Sequence, residues 1–294
     1  MRINTNVSSL NAQESAQQTN KYLSSSLEKL SSGLRINKAS DDASGMAIAD
    51  KLRTQASSIG QSISNGNSAV ALVQIADKAM AEQSNILDIV NQKLLQAGTA
   101  TTSTAGQQAI AKDISKLLTQ LDNIAVQTNY NGISLLQKSS DSTSGAAALT
   151  FQMGETSTNT IVSTSGVQAN NSGLGLSSMK TNLQTATKEE SIHGNTAAVN
   201  ASNARGLLLT IDDAITTLNG WRSDFGSTQN QLESSIRNLS TAQTNLKAAE
   251  SVIRDVDYAS ESANFNKQNI IAQAGTYAMS QANAMQQNVM RLLQ

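Results

Sequence analysis

No proline occurs anywhere in this chain of 294 residues. Average usage of about 5% would place roughly 15 in a chain of this length. Proline removes a backbone donor and its ring clashes with the preceding turn, so each one ends or kinks a helix. A chain without proline is free to run helices of many turns, and it is spared one slow isomerisation step in folding. The remaining composition suits that freedom. Aromatic residues make up only 3%, and Ala, Ser, Thr, Asn and Gln fill much of the rest. A compact enzyme of this size uses more large side chains, so thin helical packing with Ala and Leu at the seams fits better.

Apolar residues at steps of three and four dominate both ends. Leu23, Leu27, Leu30 and Leu34 form one series, and Ile3, Val7 and Leu10 start a weaker one. Gly33 interrupts the run. Ser40, Asp41 and Asp42 read as an N-cap followed by acidic residues in a first helical turn. From there Leu52, Ala56, Ile59, Ile63, Val70, Val73, Met80, Leu87 and Leu94 hold a heptad-like seam, predicting a helix of about 70 Å that ends near Ala97. Gly98 and the run GTATTSTAG stop it. A second amphipathic helix carries Ile110, Ile114, Leu117, Leu121 and Ile124 on one stripe. The pattern returns with Leu208, Ile211, Ile215, Leu218, Phe225, Leu232, Ile236, Leu239, Leu246 and Ile253, although Arg222, Gln229 and Gln243 occupy intervening seam positions. A last helix presents Ile271, Ala274, Ala278, Ala282, Met285, Val289 and Leu292.

Between these helices, residues from about Lys138 to Asn203 are rich in Ser, Thr, Asn and Gly. LTFQMGETSTNTIVSTSGV mixes β-formers with turn residues and reads as one or two hairpins. The most polar stretch follows, SSMKTNLQTATKEESIHGNTAAVNASN, which suits a small surface insertion or a partly ordered loop. The expected fold is therefore mainly α: a long antiparallel helical rod or coiled coil formed by both chain ends, with a small β-hairpin region in the middle.

Several chemistries are excluded. There is no cysteine, so disulfides, thiolate metal sites and cysteine nucleophiles are impossible. His193 is the single histidine, which rules out multi-histidine metal sites, and its place in the polar stretch suits an exposed side chain. Asp41 and Asp42 suit helix capping, and Glu189 and Glu190 suit a solvated face. NSGLGL and SSGLRIN match no phosphate-loop pattern, and Trp221 reads as a packing anchor. No cofactor or metal is expected. With 21 basic and 22 acidic residues, no nucleic acid or anionic membrane is expected as partner. The opening MRINTNVSSL has no long apolar segment, and no run of about 18 apolar residues occurs anywhere, so neither a signal peptide nor a membrane span is expected. On composition alone a cytoplasmic helical protein fits equally well. The unusual feature is that both termini carry apolar stripes with few charges, where ends are ordinarily frayed and polar. Such segments suit ordering against neighbouring copies.

Four stretches carry a family resemblance: INTNVSSLNAQ near the start, LSSGLRINKASDDASGMAIADKLR at 30–53, QTNYNGISLL at 127–136, and RDVDYASESANFNKQNIIAQAGTYAMSQANAMQQNVMRLL at 254–293. The sequence resembles bacterial flagellins over both conserved regions of that family, covering with the intervening helices about two thirds of the chain. The resemblance implies a structural subunit, not an enzyme, that polymerises with itself into the extracellular flagellar filament of swimming bacteria after export, unfolded, through the flagellar type III apparatus. Residues 1–40 with 258–294 would be an inner-core coiled coil, residues 41–176 with 204–257 a helical rod domain with its β-hairpin region, and 177–203 a short polar insertion in place of an outer domain. Ile3, Val7, Leu10, Leu23, Leu27, Leu30 and Leu34, with Ile271, Ala274, Ala278, Ala282, Met285, Val289 and Leu292, would form the polymerisation seam. An export chaperone, the filament cap and hook-junction proteins would be further partners, and exposed Ser or Thr between 139 and 202 could carry O-linked glycans. A hook–filament junction protein and a secreted coiled-coil effector or adhesin are the alternative readings. In many flagellins an arginine and a leucine one turn later are read by an innate immune receptor. Counting back from QTNYNG places those positions at Ile89 and Lys93, preceded by Asp88, which implies weak recognition.

Overall fold

The computed structural model describes residues 6–99, 101–138, 145–163, 166–188 and 201–292. Their order is α1 (Val7–Ser32), α2 (Ala43–Ala97), α3 (Thr104–Gln127), β1 (Asn129–Tyr130), β2 (Ile133–Ser134), β3 (Thr150–Gln152), β4 (Thr160–Val162), α4 (Ser177–Lys188), α5 (Ala201–Arg254) and α6 (Tyr258–Leu292). Helix dominates, and the strands form two short antiparallel pairs in the middle of the chain, β1 with β2 and β3 with β4. The contacts divide the chain into two compact units, one of Met1–Ser57 with Ala242–Gln294 and the other of Ser58–Thr241.

Helix ends follow local chemistry. The Asn6 side chain accepts from the Ser9 N–H at 3.1 Å and caps α1, and Gly33, at φ 74°, closes its other end by donating to the Lys29 carbonyl. Only a residue without a Cβ adopts that left-handed conformation cheaply. The cap of α2 is Asp42, whose Oδ1 accepts from the Gly45 N–H at 2.8 Å. Ser40 therefore lies outside the helix. Asp41 instead ties the preceding loop, accepting from the Asn37 and Lys38 N–H groups at 3.1 and 2.9 Å. Those two backbone donors, led by Lys38, hold the Asp41 carboxyl below its ordinary range. Asp257 caps α6 by accepting from the Ala259 and Ser260 N–H groups.

The second unit has a core of seams at 3.5-residue spacing. On α2 the shielded row is Ala69, Val73, Ala76, Met80, Gln83, Leu87, Val90, Leu94 and Ala97. On α5 it is Ala204, Ile211, Ala214, Leu218, Phe225, Thr228 and Leu232, and the half-buried Trp221 falls in the same register. The two helices run antiparallel within this unit: Arg222 Nε donates to Asp77 Oδ1 at 3.0 Å, and Asn91 donates to Asp212 Oδ1 at 3.3 Å. The interruptions expected at Arg222 and Gln229 resolve once the stripe is read one residue earlier, through Trp221 and Thr228. On α3 two positions shift the other way, one residue later: Ile110, Ile114 and Leu121 are buried as read, but Leu118 and Ala125 are buried where Leu117 and Ile124 are only half-buried.

Two parts of the middle differ from expectation. Residues 129–134 form a hairpin whose tip, Asn131 and Gly132, has φ of 51° and 80°, the mirror-image turn that an Asn-Gly pair favours between strands. Residues 177–188 form α4, not a surface loop, with Met179 and Leu183 in the core. The segment before α4 docks through polar contacts. Gln83, wholly buried, donates to the carbonyls of Leu121 and Ala169 at 3.1 and 2.6 Å. Asp122 on α3 accepts from the Asn171 backbone at 2.9 Å and side chain at 2.8 Å, and pairs with Lys180 of α4. Glu189, Glu190 and His193 lie outside the described residues.

Candidate functional site: the exposed faces of the terminal helix pair

The first unit joins the two ends of the chain. Asn6 Nδ2 donates to the Ala282 carbonyl at 3.1 Å, and the Ser26 hydroxyl donates to Glu261, so α1 and α6 run antiparallel. Beyond α1 the chain makes a short bridge. Leu34 pairs with Asp255, the Val256 N–H donates to the Gly33 carbonyl at 3.0 Å, and the Arg35 N–H donates to the Arg254 carbonyl at 2.6 Å. The Arg35 guanidinium reaches the Ile253 carbonyl, also at 2.6 Å. Ile36 is buried beside this bridge, 2.7 Å from where a Cβ on Gly45 would sit.

The faces that α1 and α6 turn to each other are made largely of small or polar residues. On α1 the shielded positions are Ser9, Ala12, Ala16, Thr19, Leu23, Ser26 and Leu30. On α6 they are Glu261, Phe265, Gln268, Ala272, Gly275, Met279 and Ala282. Both rows step by three and four without a break, which is the coiled-coil repeat. Small residues let the backbones approach closely; a Cβ built on Gly275 would lie 3.9 Å from that of Ala16.

The sequence-derived seam divides against this geometry. Leu23, Leu30 and Leu34 are half-buried within the unit, as is Ala282. Val7, Leu10 and Leu27 are 60%, 54% and 57% exposed. On α6, Ile271, Ala274, Ala278 and Met285 are all exposed; at 100° per residue their stripe lies roughly a quarter-turn from the face that meets α1. Ile3 and the side chains of Val289 and Leu292 lie outside the described residues. The sequence reading also missed Tyr22, Tyr258, Ile270 and Tyr277, which are 53%, 56%, 68% and 78% exposed on the same helix pair. The pair therefore shields a mixed row, in which small residues alternate with Leu23, Leu30, Phe265 and Met279, and leaves a second set of large apolar side chains in water. Exposed apolar area of this kind marks an interaction surface.

The described residues show no converging reactive groups. No three His, Cys, Asp or Glu side chains come together among them. A polar groove beside α1 is lined by Gln17, Lys21, Glu28, Lys38 and Asp41, but Glu28 and Lys38 satisfy each other there at 2.6 Å. Among the described residues no helix is long and apolar enough to cross a membrane. The three receptor-equivalent positions sit on α2. Asp88 and Ile89 are exposed, and Lys93 reaches Asp113 on α3 at 2.9 Å. That ammonium holds the Asp113 carboxyl below its ordinary range.

A helical subunit whose two ends meet in one coiled coil, with apolar faces left uncovered, belongs to the class of structural proteins that work by assembly. Comparison with known proteins identifies which. Residues 3–141 match the bacterial flagellin N-terminal helical region and residues 208–293 match the bacterial flagellin C-terminal helical region. The flagellin of Bacillus subtilis is 35% identical over 307 residues, with all of both chains covered. The flagellar filament 33 kDa core protein of Treponema phagedenis is 32% identical over 300 residues, again with both chains fully covered. A putative flagellar hook-associated protein from Vibrio parahaemolyticus shares the fold at 13% identity and a TM-score of 0.60, covering 72% of this chain and 99% of that one. This chain belongs to the bacterial flagellin family. It is a structural subunit of the extracellular flagellar filament, and the full-length matches to flagellins favour that assignment over a hook–filament junction protein.

Proposed function

We propose that the chain acts by polymerisation and not by catalysis, and that the exposed faces of α1 and α6 are its polymerisation surface. The observation that carries this reading is the apolar surface the helix pair leaves uncovered: Val7, Leu10, Ile270, Ile271, Tyr277 and Met285 stand outside in water. Burying such side chains against neighbouring copies contributes about 1.5–3 kcal/mol for each one fully covered. In this proposal residues 1–40 with 258–294 form the inner core of the filament and residues 41–176 with 204–257 the surrounding helical shell, to whose core α4 contributes Met179 and Leu183. Lacking cysteine and proline, the chain suits export in an unfolded state through the flagellar type III apparatus. An export chaperone, the filament cap and hook-junction proteins are its proposed partners during assembly, and O-linked glycans on exposed Ser or Thr a proposed modification. Electron microscopy of the purified chain after nucleation tests the reading. The full chain should give long tubes of uniform diameter, and a chain lacking 258–294 should give none; tubes from the truncated chain would contradict it.

The second proposal concerns recognition by animal hosts. Ile89 and Lys93 stand where receptor-active flagellins carry arginine and leucine. An aliphatic side chain offers none of the bidentate donors of a guanidinium, and Lys93 is drawn aside by Asp113. The monomer should therefore activate the receptor weakly. A reporter-cell assay measures this directly, and potency equal to that of an arginine-bearing flagellin would overturn it.

A further inference from the structure

Each terminal helix carries a second row on the side facing away from its partner, also at 3.5-residue spacing. On α1 this row is Val7, Leu10, Glu14, Gln17, Lys21 and Ser24, every member exposed. On α6 it is Lys267, Ile270, Ala274, Tyr277, Gln281 and Ala284, again all exposed. The apolar members of these rows, Val7 and Leu10 on α1 and Ile270, Ala274 and Tyr277 on α6, are left uncovered by the folded chain.

Charge selects the partner and the register. Among the described residues neither Glu14 nor Lys267 has an ion-pair or hydrogen-bond partner. Inside the unit, antiparallel pairing sets Asn6 beside Ala282 and Ser26 beside Glu261, so residue numbers across the pair sum to about 288. If the outer rows met in that same register, Lys21 would face Lys267, a like-charge contact. Sliding by one heptad in one direction brings Glu28 to Lys267, but Glu28 is already held by Lys38 at 2.6 Å and Asn37 at 3.3 Å. Sliding the other way, by about 10 Å, sets Glu14 opposite Lys267, Leu10 opposite Ile270 and Ile271, and Val7 opposite Ala274. A parallel arrangement matching Leu10 with Ile270 would instead bury Lys267 against Val7, with no partner for its charge.

We infer that the outer row of α1 docks antiparallel on the outer row of α6 of a second copy, one heptad out of the intramolecular register, with Glu14 paired to Lys267 and Leu10 seated at Ile270. The inference rests on the filament reading and specifies its contact. Attraction between opposite charges and repulsion in the wrong register make such a pair a device for specificity.

Charge exchange tests it in the full-length chain. The critical concentration for polymerisation, read by sedimentation, should rise about tenfold or more in Glu14→Lys and in Lys267→Glu. The double variant should return to within about threefold of the unaltered chain. Circular dichroism of the monomers confirms that the variants keep their helices. Because the chain has no cysteine, mixing Leu10→Cys with Ile270→Cys chains gives a second readout, in which oxidation of the copolymer should join one of each. Single variants that polymerise normally, a double variant no better than either single, or a copolymer without mixed cross-links would overturn the inference. Failure of the unaltered chain to polymerise would instead count against the filament reading itself.

Discussion

Leu117 and Leu118 are neighbours on α3, yet Leu118 is wholly buried and Leu117 only half so. Truncating a buried leucine removes its transfer free energy and leaves a cavity that the surroundings refill only in part. Leu118→Ala should therefore cost about 2–5 kcal/mol, and Leu117→Ala less than half of that. Urea unfolding with an unchanged slope measures both, and equal losses would show that the face is not oriented as described. Single residues were unevenly legible in sequence. Leu121 and Leu232 stand out in any reading because large apolar side chains recur around them. Asp42 was legible as a helix-start residue but not as the cap itself, since Ser40, Asp41 and Asp42 all have the chemistry to cap and only backbone geometry chooses among them. The Asn171–Asp122–Lys180 cluster was illegible, because its members lie far apart in sequence and each reads as ordinary surface.

At the level of elements, the long helices could be read from apolar spacing and α4 could not, and the end of α2 at Ala97 is where the sequence indicated. The faces were harder. The contact between α1 and α6 uses Ala12, Ala16, Thr19, Ser26, Ala272 and Gly275, and small side chains carry no hydrophobic signal even where close approach makes them the natural choice. On α1, Leu23 and Leu30 marked the contact face while Val7, Leu10 and Leu27 did not, and on α6 Ile271, Ala274, Ala278 and Met285 drew attention to an exposed stripe. The short hairpin at 129–134 had a readable sign in its Asn-Gly pair, but its strands are too brief to show alternation. Two glycines of the terminal unit should respond in opposite ways. Gly33 has φ 74°, and a Cβ there would sit 3.2 Å from the Tyr258 hydroxyl. Gly33→Ala should cost about 1–2 kcal/mol in the stability of this unit. Gly275→Ala meets only an ordinary contact with Ala16 and gains up to about 1 kcal/mol of helix propensity. Thermal unfolding followed by circular dichroism separates them, and a destabilised Gly275→Ala would mean that the helices lie closer than described.

The chain folds its middle around a continuous apolar core and pairs its two ends through a thin, mixed row, leaving Val7, Leu10, Ile270, Tyr277 and Met285 in water. A helix pair held in this way gains little stability alone, and most helical stability in proteins comes from packing. The account therefore predicts that residues 7–32 and 258–285 exchange their amide hydrogens rapidly in the monomer and slowly once neighbours cover them. Hydrogen exchange followed by mass spectrometry on monomer and filament is the most direct measurement. The expected result is weak protection of both segments in the monomer, strong protection in the filament, and little change in the core around Met80, Leu121 and Leu218. Equal protection of the two terminal segments in both states would contradict the account.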